Sequence, residues 1–233
     1  MYLLKYLAHC GVCSRRKAVV LIKSGVITVN GFVATMPFSL VRDEDIVAYN
    51  GKVVKPEAYV YLMLNKPKDY VTTCRDTHGR KTVIALIRGA TKERVYPVGR
   101  LDRMSTGLLL FTNDGALAQK LSHPSSNVTK RYRVFLDKSF EKKDLQRFLV
   151  GFDLKDGFIK ADSCRYGSAK DKRDVVLELH SGRNRIVRRM FKFLGYRVEK
   201  LDRTGYAGLT LGATAHGSWY FLTREEIFSL TGL

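Results

Sequence analysis

Residues 99–114 read GRLDRMSTGLLLFTND and set one carboxylate, Asp102, between Arg100 and Arg103. A lone acid can attack carbon or remove a carbon-bound proton when its surroundings hold it in place and leave it reachable. No second carboxylate stands beside Asp102, no histidine is close in sequence, and no glycine-rich phosphate loop precedes it. On spacing alone, an isolated loop aspartate reads as a turn or cap residue. The other pattern with chemical potential, Cys10-x-x-Cys13, is half a zinc site, and Cys74 and Cys164 are too far apart to supply a second pair. The cysteines are expected to be reduced and packed as small apolar residues. No metal, redox or other small-molecule cofactor is expected.

The chain of 233 residues carries 41 lysines and arginines against 22 acids, a formal charge of +19. Such an excess repels itself in a compact fold and suits a polyanionic partner, nucleic acid first. A membrane partner is not expected, because no long apolar run, amphipathic anchor or lipidation signal is present. Met1 leads into LLKYLAHCGVCSRRK, whose apolar stretch is too short for a signal peptide, so a cytoplasmic protein is expected. With no heptad pattern, the expected state is a monomer.

Two units have to position the acid. Tyr2–His9 reads as a helix stopped by Gly11. Ser14 caps a second helix, Arg15–Ser24, closed by Gly25. Asn30-Gly31 turns a hairpin within residues 27–34, and Asn50-Gly51 turns another after a strand at 45–49. Arg15, Arg16 and Lys17 fill the first turn of the second helix, where the helix dipole disfavours cations by about 0.3–1 kcal/mol each. A phosphate backbone would reward that arrangement, making these three candidate RNA-binding residues. Lys55-Pro56-Glu57 marks the boundary, giving domains at 1–57 and 60–233.

The larger domain reads as mixed α and β. Strands are expected at 59–64, 95–99, 106–112, 130–136, 158–166 and 173–180. Asp114 is positioned to cap a helix through Leu121, and another helix is expected over 140–150. Residues 181–195, SGRNRIVRRMFKFLG, read as a helix with an apolar stripe of Ile186, Val187, Met190, Phe193 and Leu194. Arg185, Arg188, Arg189 and Lys192 form its other face, where an anion would relieve their mutual repulsion.

The first segment, LLKYLAHCGVCSRRKAVVLIKSGVITVNGFVA, resembles the S4 RNA-binding domain, which implies binding of structured ribosomal RNA. YPVGRLDRMSTGLLLFTNDG at 96–115, with LNKPKDY at 64–70, KRYRV at 130–134 and SGRNRIVRRMF at 181–191, resembles the ribosomal pseudouridine synthases that carry such a domain. The resemblance covers nearly the whole chain. It implies an α+β fold, a small S4 α/β domain followed by a catalytic domain with a central, mainly antiparallel mixed sheet. It also implies isomerisation of a uridine in ribosomal RNA, the large-subunit RNA being preferred. Asp102 would be the catalytic residue, attacking the sugar or taking its C2′ proton so that the C1′–N1 bond breaks. Tyr132 would stack on the flipped base, and Arg188 would pair with Asp102, with Arg189 the alternative. Arg100 would occupy the space left by the flipped base or hold the adjacent phosphate, and Arg103, Arg183, Arg185 and Arg189 are candidates for the RNA backbone track. The partner would be ribosomal RNA or a ribosomal subunit precursor. A different class remains open: a catalytically silent rRNA-binding assembly factor.

Two positions depart from the family pattern. Ile186 stands where glutamine is expected and should face the core. Asp69 replaces a glycine in a turn that would need positive φ, which Asp tolerates better than most residues.

Overall fold

A computed structural model describes residues 1–232, which form two compact units. The first comprises Met1–Val60 with the short segments Thr91–Val95 and Asn113–Gly115. It opens with helices α1 (Leu3–His9) and α2 (Arg15–Lys23). Strands β1 (Ile27–Val29), β2 (Phe32–Val33), β3 (Val47–Tyr49) and β4 (Lys52–Val53) follow, in sheet order β2-β1-β3-β4. The expected N-cap is present: Ser14 Oγ accepts from Lys17 N at 3.3 Å. Both hairpin turns use left-handed backbone, with φ of 53° and 84° at Asn30 and Gly31 and 49° and 76° at Asn50 and Gly51. Leu3, Leu7, Ala18, Ile22, Ile27 and Val47 close the core, each large side chain adding about 1.5–3 kcal/mol. Cys13 packs in that core, and burial raises its thiol pKa. Arg15, Arg16 and Lys17 are exposed on α2.

The second unit runs β5 (Tyr61–Lys66), α3 (Val83–Leu86), β6 (Tyr96–Val98), β7 (Thr106–Thr112), α4 (Gly115–Ser122) and β8 (Lys130–Leu136). It continues through α5 (Lys142–Val150), β9 (Phe152–Leu154), β10 (Gly157–Ile159), β11 (Ser163–Tyr166), β12 (Asp174–Leu179) and α6 (Ile186–Phe193). It ends with β13 (Val198–Tyr206), β14 (Leu209–Thr210), β15 (Trp219–Phe221) and α7 (Arg224–Thr231). The main sheet has the order β11-β12-β8-β13-β7-β5-β15, with β14 on β13 and β6 on β7. Its pairs are antiparallel except β13 with β7, so the expected mixed, mainly antiparallel sheet is present. Two apolar clusters cover it. One joins β8, β12 and β13 to α5 and α6. The other joins β5, β6 and β7 to α4 and α7.

Three expectations are corrected. The single strand expected over 158–166 is two strands in different sheets, because Ala161 N turns to the Phe148 carbonyl at 2.8 Å and the chain leaves one ladder for the other. The helix expected over 181–195 begins only at Ile186, because Arg185 has φ 47° and cannot continue it backward. Its apolar stripe is Ile186, Val187, Met190 and Phe191, whereas Phe193 is 51% exposed. At 100° per residue Phe193 lies beside Arg189 at the stripe's edge, and Phe191 falls within it. It stacks on Phe152 instead. Ile186 faces the core as expected.

Candidate active site

The loop carrying Asp102 is built around a buried lysine. Lys66 ends β5, where Pro67 offers no N–H to extend the ladder. Its side chain is fully enclosed, and Nζ donates to the carbonyls of Ser105 (2.7 Å), Pro67 (3.0 Å), Asp102 (3.1 Å) and Arg103 (3.2 Å). Burial lowers the pKa of this ammonium to about 8, while the Asp102 and Asp69 charges act in the opposite direction. A second brace comes from Thr72, whose Oγ1 donates to Leu101 O at 2.8 Å and accepts from Leu101 N at 3.3 Å. Asp69 supplies a third. Its N donates to Arg103 O at 2.9 Å, its carboxylate pairs with Arg103 at 3.0 Å, and its φ of 69° is the positive value expected at this turn. The segment 66–72 thus clamps backbone on both sides of Asp102, which leaves the carboxylate free to face outward.

That carboxylate is partly exposed, and Arg185 Nε reaches it at 3.6 Å. Arg185 reaches it from the left-handed residue just before α6, a conformation seldom adopted by a side chain of this size. Arg188, one turn on, is half-buried and donates from Nη1 to Val198 O at 2.8 Å. Its guanidinium pKa is lowered by burial and then by the Arg185 charge, while Asp102 acts the other way, so Arg188 lies within the field of the acid. The cation in ion-pair contact is therefore Arg185; Arg188 stands behind it. Arg189 is drawn elsewhere: it pairs with Asp156 at 2.8 Å. Arg183 pairs with the same acid at 3.3 Å and donates to the carbonyls of Asp156, Gly157 and Phe158. Both arginines pin the β9–β10 hairpin. Arg100 and Arg103 are exposed on either side of Asp102.

Tyr132 lies on β8, 9% exposed, in the same cluster as Ile186 and Val187 at the start of α6. Across the sheet, Lys66 is the strand partner of Gly107, Gly107 of Arg203, and Arg203 of Tyr132. The loop clamp, the strand that follows the acid's loop and the tyrosine are thereby tied through four adjacent strands. Arg133 and Phe135 alternate with Tyr132 and line a separate groove of about 520 Å³ with Asp174, Lys200, Asp202 and His216. Asp102 is not among the residues of that groove. Sequence reasoning did not single out Lys66, Thr72 or Arg203. A lysine closing the apolar run YLML was the available signal for Lys66; Thr72 offered none.

Among the described residues no group of three metal-ligating side chains is assembled, and no helix is long and apolar enough to cross a membrane. A clamped loop presents one carboxylate, an arginine-headed helix lies beside it, and a tyrosine stands on the adjoining sheet. The profile of the RNA pseudouridylate synthase family matches residues 60–193, and the chain belongs to that family. It is 40% identical over 233 residues to the Bacillus subtilis protein described as ribosomal large subunit pseudouridine synthase B, covering 98% of this chain and 95% of that one. An Aquifex aeolicus protein described as an uncharacterized RNA pseudouridine synthase is 38% identical over 229 residues, covering 97% and 92%. A crystal structure of a pseudouridylate synthase superposes with a TM-score of 0.69 at 25% identity, covering 99% of each chain. The expectation of a pseudouridine synthase is met.

Proposed function

We propose that this enzyme converts a uridine of ribosomal RNA, in the large subunit, to pseudouridine, with Asp102 as the catalytic residue. The observation that carries the reading is the Lys66 clamp, which gathers four loop carbonyls so that the Asp102 carboxylate is held facing outward beside Arg185. Nothing in the loop's own stability calls for a charged residue at its open side. The large-subunit preference rests on the Bacillus subtilis relative and on one from Buchnera aphidicola described by the same words, 36% identical over 232 residues.

The target nucleotide swings out of folded RNA, at a cost of a few kcal/mol that phosphate contacts offset. Its ribose meets Asp102 and its base meets Tyr132. Asp102 attacks the sugar or takes the C2′ proton, the C1′–N1 bond breaks, and the uracil turns and rejoins through C5. As RNA arrives, Arg185 is free to move to a phosphate, leaving Arg188 to steady the carboxylate. Arg100 and Arg103 flank the acid for the adjacent backbone, or for the space left by the base. Arg183 and Arg189, already paired with Asp156, contribute mainly by holding the β9–β10 hairpin at the rim. In the first unit, residues 1–57 act as an S4-type RNA-binding domain, with Arg15, Arg16 and Lys17 on phosphates. The protein works in the cytoplasm as a monomer, on ribosomal RNA or a subunit precursor, without a cofactor.

Chemical mapping of pseudouridine in ribosomal RNA transcripts, subunits and assembly intermediates, incubated with wild type or Asp102→Ala, tests this reading. Wild type should convert a uridine; Asp102→Ala should convert none and bind RNA with little loss. Tight binding without conversion in any of the three substrates would leave an rRNA-binding assembly factor as the function.

A further inference from the structure

Among the described residues two cations are buried, Lys66 and Arg203. Lys66 is surrounded by carbonyls. Arg203, on β13 and 2% exposed, is not. Its Nε donates to Leu108 O at 2.9 Å and its guanidinium lies over the Tyr206 ring, 4.6 Å from the centroid. Its Nη2 has no hydrogen-bond partner, and no described carboxylate lies within ion-pair distance. A buried, unpaired charge is destabilising, and an apolar side chain of similar length would pack there without that penalty. Stability does not account for this residue.

Its position suggests what does. Arg203 is directly opposite Tyr132 on β8, and its other strand partner is Gly107, which is also the partner of Lys66. Directly opposed antiparallel residues share a face. Arg203 and Tyr132 therefore point from neighbouring strands to the same face of the sheet, where Tyr132 packs with Ile186 and Val187 at the start of α6 and the Arg203 guanidinium lies on Tyr206. A base stacked on Tyr132 would sit on the face that Arg203 shares.

We propose that Arg203 binds the uracil while it is detached from the ribose, with its unpartnered Nη2–H donating to a ring carbonyl oxygen. This rests on the reading above that the enzyme isomerises uridine. When the C1′–N1 bond breaks, its electron pair leaves with the base and spreads over N1 and the conjugated O2 and O4. The C5–C1′ bond then forms, C5 gives up its proton and N1 gains one, so no atom or electron is lost. Between these steps the site holds an anion. A guanidinium with no internal counterion is complementary to that anion more than to the neutral substrate, which is the condition for lowering the barrier rather than only tightening binding. Lys66 cannot take this role, because its donors are engaged by the loop carbonyls. Arg185 and Arg188 stand by the carboxylate.

The test compares wild type, Arg203→Met and Arg203→Lys on a large-subunit ribosomal RNA transcript, measuring turnover, KM, RNA affinity and melting temperature. Arg203→Met should melt no lower than wild type and bind RNA equally, while kcat falls about 100-fold or more, as for loss of one donor to a developing oxyanion. Arg203→Lys, with the charge kept at shorter reach, should fall between. A kcat for Arg203→Met within about threefold of wild type overturns the proposal. So does a loss confined to KM or affinity. If Arg203→Met does not fold, Arg203→Lys decides: a folded protein slowed about tenfold sustains the proposal and an unchanged rate overturns it. Wild type that converts no uridine removes the reading beneath it as well, whereas active wild type with an equally active Arg203→Met removes this inference alone.

Discussion

Replacing Lys66 by Met keeps most of the side-chain volume and removes the charge on which the Asp102 loop is hung. Two opposing effects on stability can be worked from the structure. Burial moves the ammonium pKa from the ordinary 10.5 to about 8, which at about 1.36 kcal/mol per unit weighs roughly 3 kcal/mol against the charged form. The substitution relieves that. In exchange it strands acceptors. The carbonyls of Asp102 and Arg103 keep backbone donors, Ser105 N at 3.0 Å and Asp69 N at 2.9 Å, whereas those of Pro67 and Ser105 lose the ammonium. Two stranded acceptors cost about 1–3 kcal/mol each. The effects largely cancel, leaving a net change of at most about 3 kcal/mol and a Tm shift below about 12 °C for a chain of this size. Turnover should respond far more. With Asp102 in the catalytic role proposed above, a carboxylate freed from the clamp should leave its reacting position, and a misplacement of about 1 Å costs on the order of 100-fold. Single-turnover conversion of a ribosomal RNA transcript, alongside thermal melting, measures both. A variant that keeps its rate within about threefold of wild type refutes the idea that Lys66 positions the acid. A collapse in Tm with no folded population would make Lys66 a folding element instead.

Four further outcomes are expected. As pH rises through about 8, Lys66 loses its proton and turnover should fall, a limb absent from the pH profile of Lys66→Met. Stability from the same group moves the other way: its folded pKa lies below its unfolded one, so between about 8 and 10.5 the unfolded chain holds more protons and stability rises with pH, which pH-dependent melting can follow. Gly107→Ala forces a side chain onto a residue with φ 106°, with Cβ 2.4 Å from Arg203 O and 2.6 Å from Arg203 N. It should lower stability by more than about 3 kcal/mol in thermal or denaturant unfolding, and a wild-type Tm would contradict the parallel β7–β13 contact. The Arg15→Ala, Arg16→Ala double variant should weaken RNA binding and reduce the slope of log affinity against log salt by about 1.5, since each lost phosphate contact removes about 0.7–0.9; an unchanged slope excludes α2 from the interface.

What the sequence determined by itself was local. Ser14 beside a helical pattern, Asn-Gly between short strands and alternation in KRYRVFL each set a neighbour's backbone through nearby sterics and hydrogen bonds, and those elements are where they were expected. The GRLD stretch located the acid, and the positive φ of Asp69 followed from the family's turn. Tertiary structure decided which charges meet. By spacing Arg185, Arg188 and Arg189 share one helix face, and the family resemblance assigned Arg188, with Arg189 as the alternative, to Asp102. In the fold the helix begins after Arg185, which therefore reaches Asp102 from a left-handed residue; Arg188 turns to a β13 carbonyl and Arg189 to a hairpin aspartate. Lys66 and Arg203 were hidden for a related reason. A lysine or arginine in a strand reads as a solvated residue until distant segments close over it, and only the order of β5, β7, β13 and β8 sets the strands that carry the two cations and the tyrosine side by side. Side-chain pairing depends on distances among residues 10 to 95 positions apart in the chain, and the periodicity of any one segment carries no record of them.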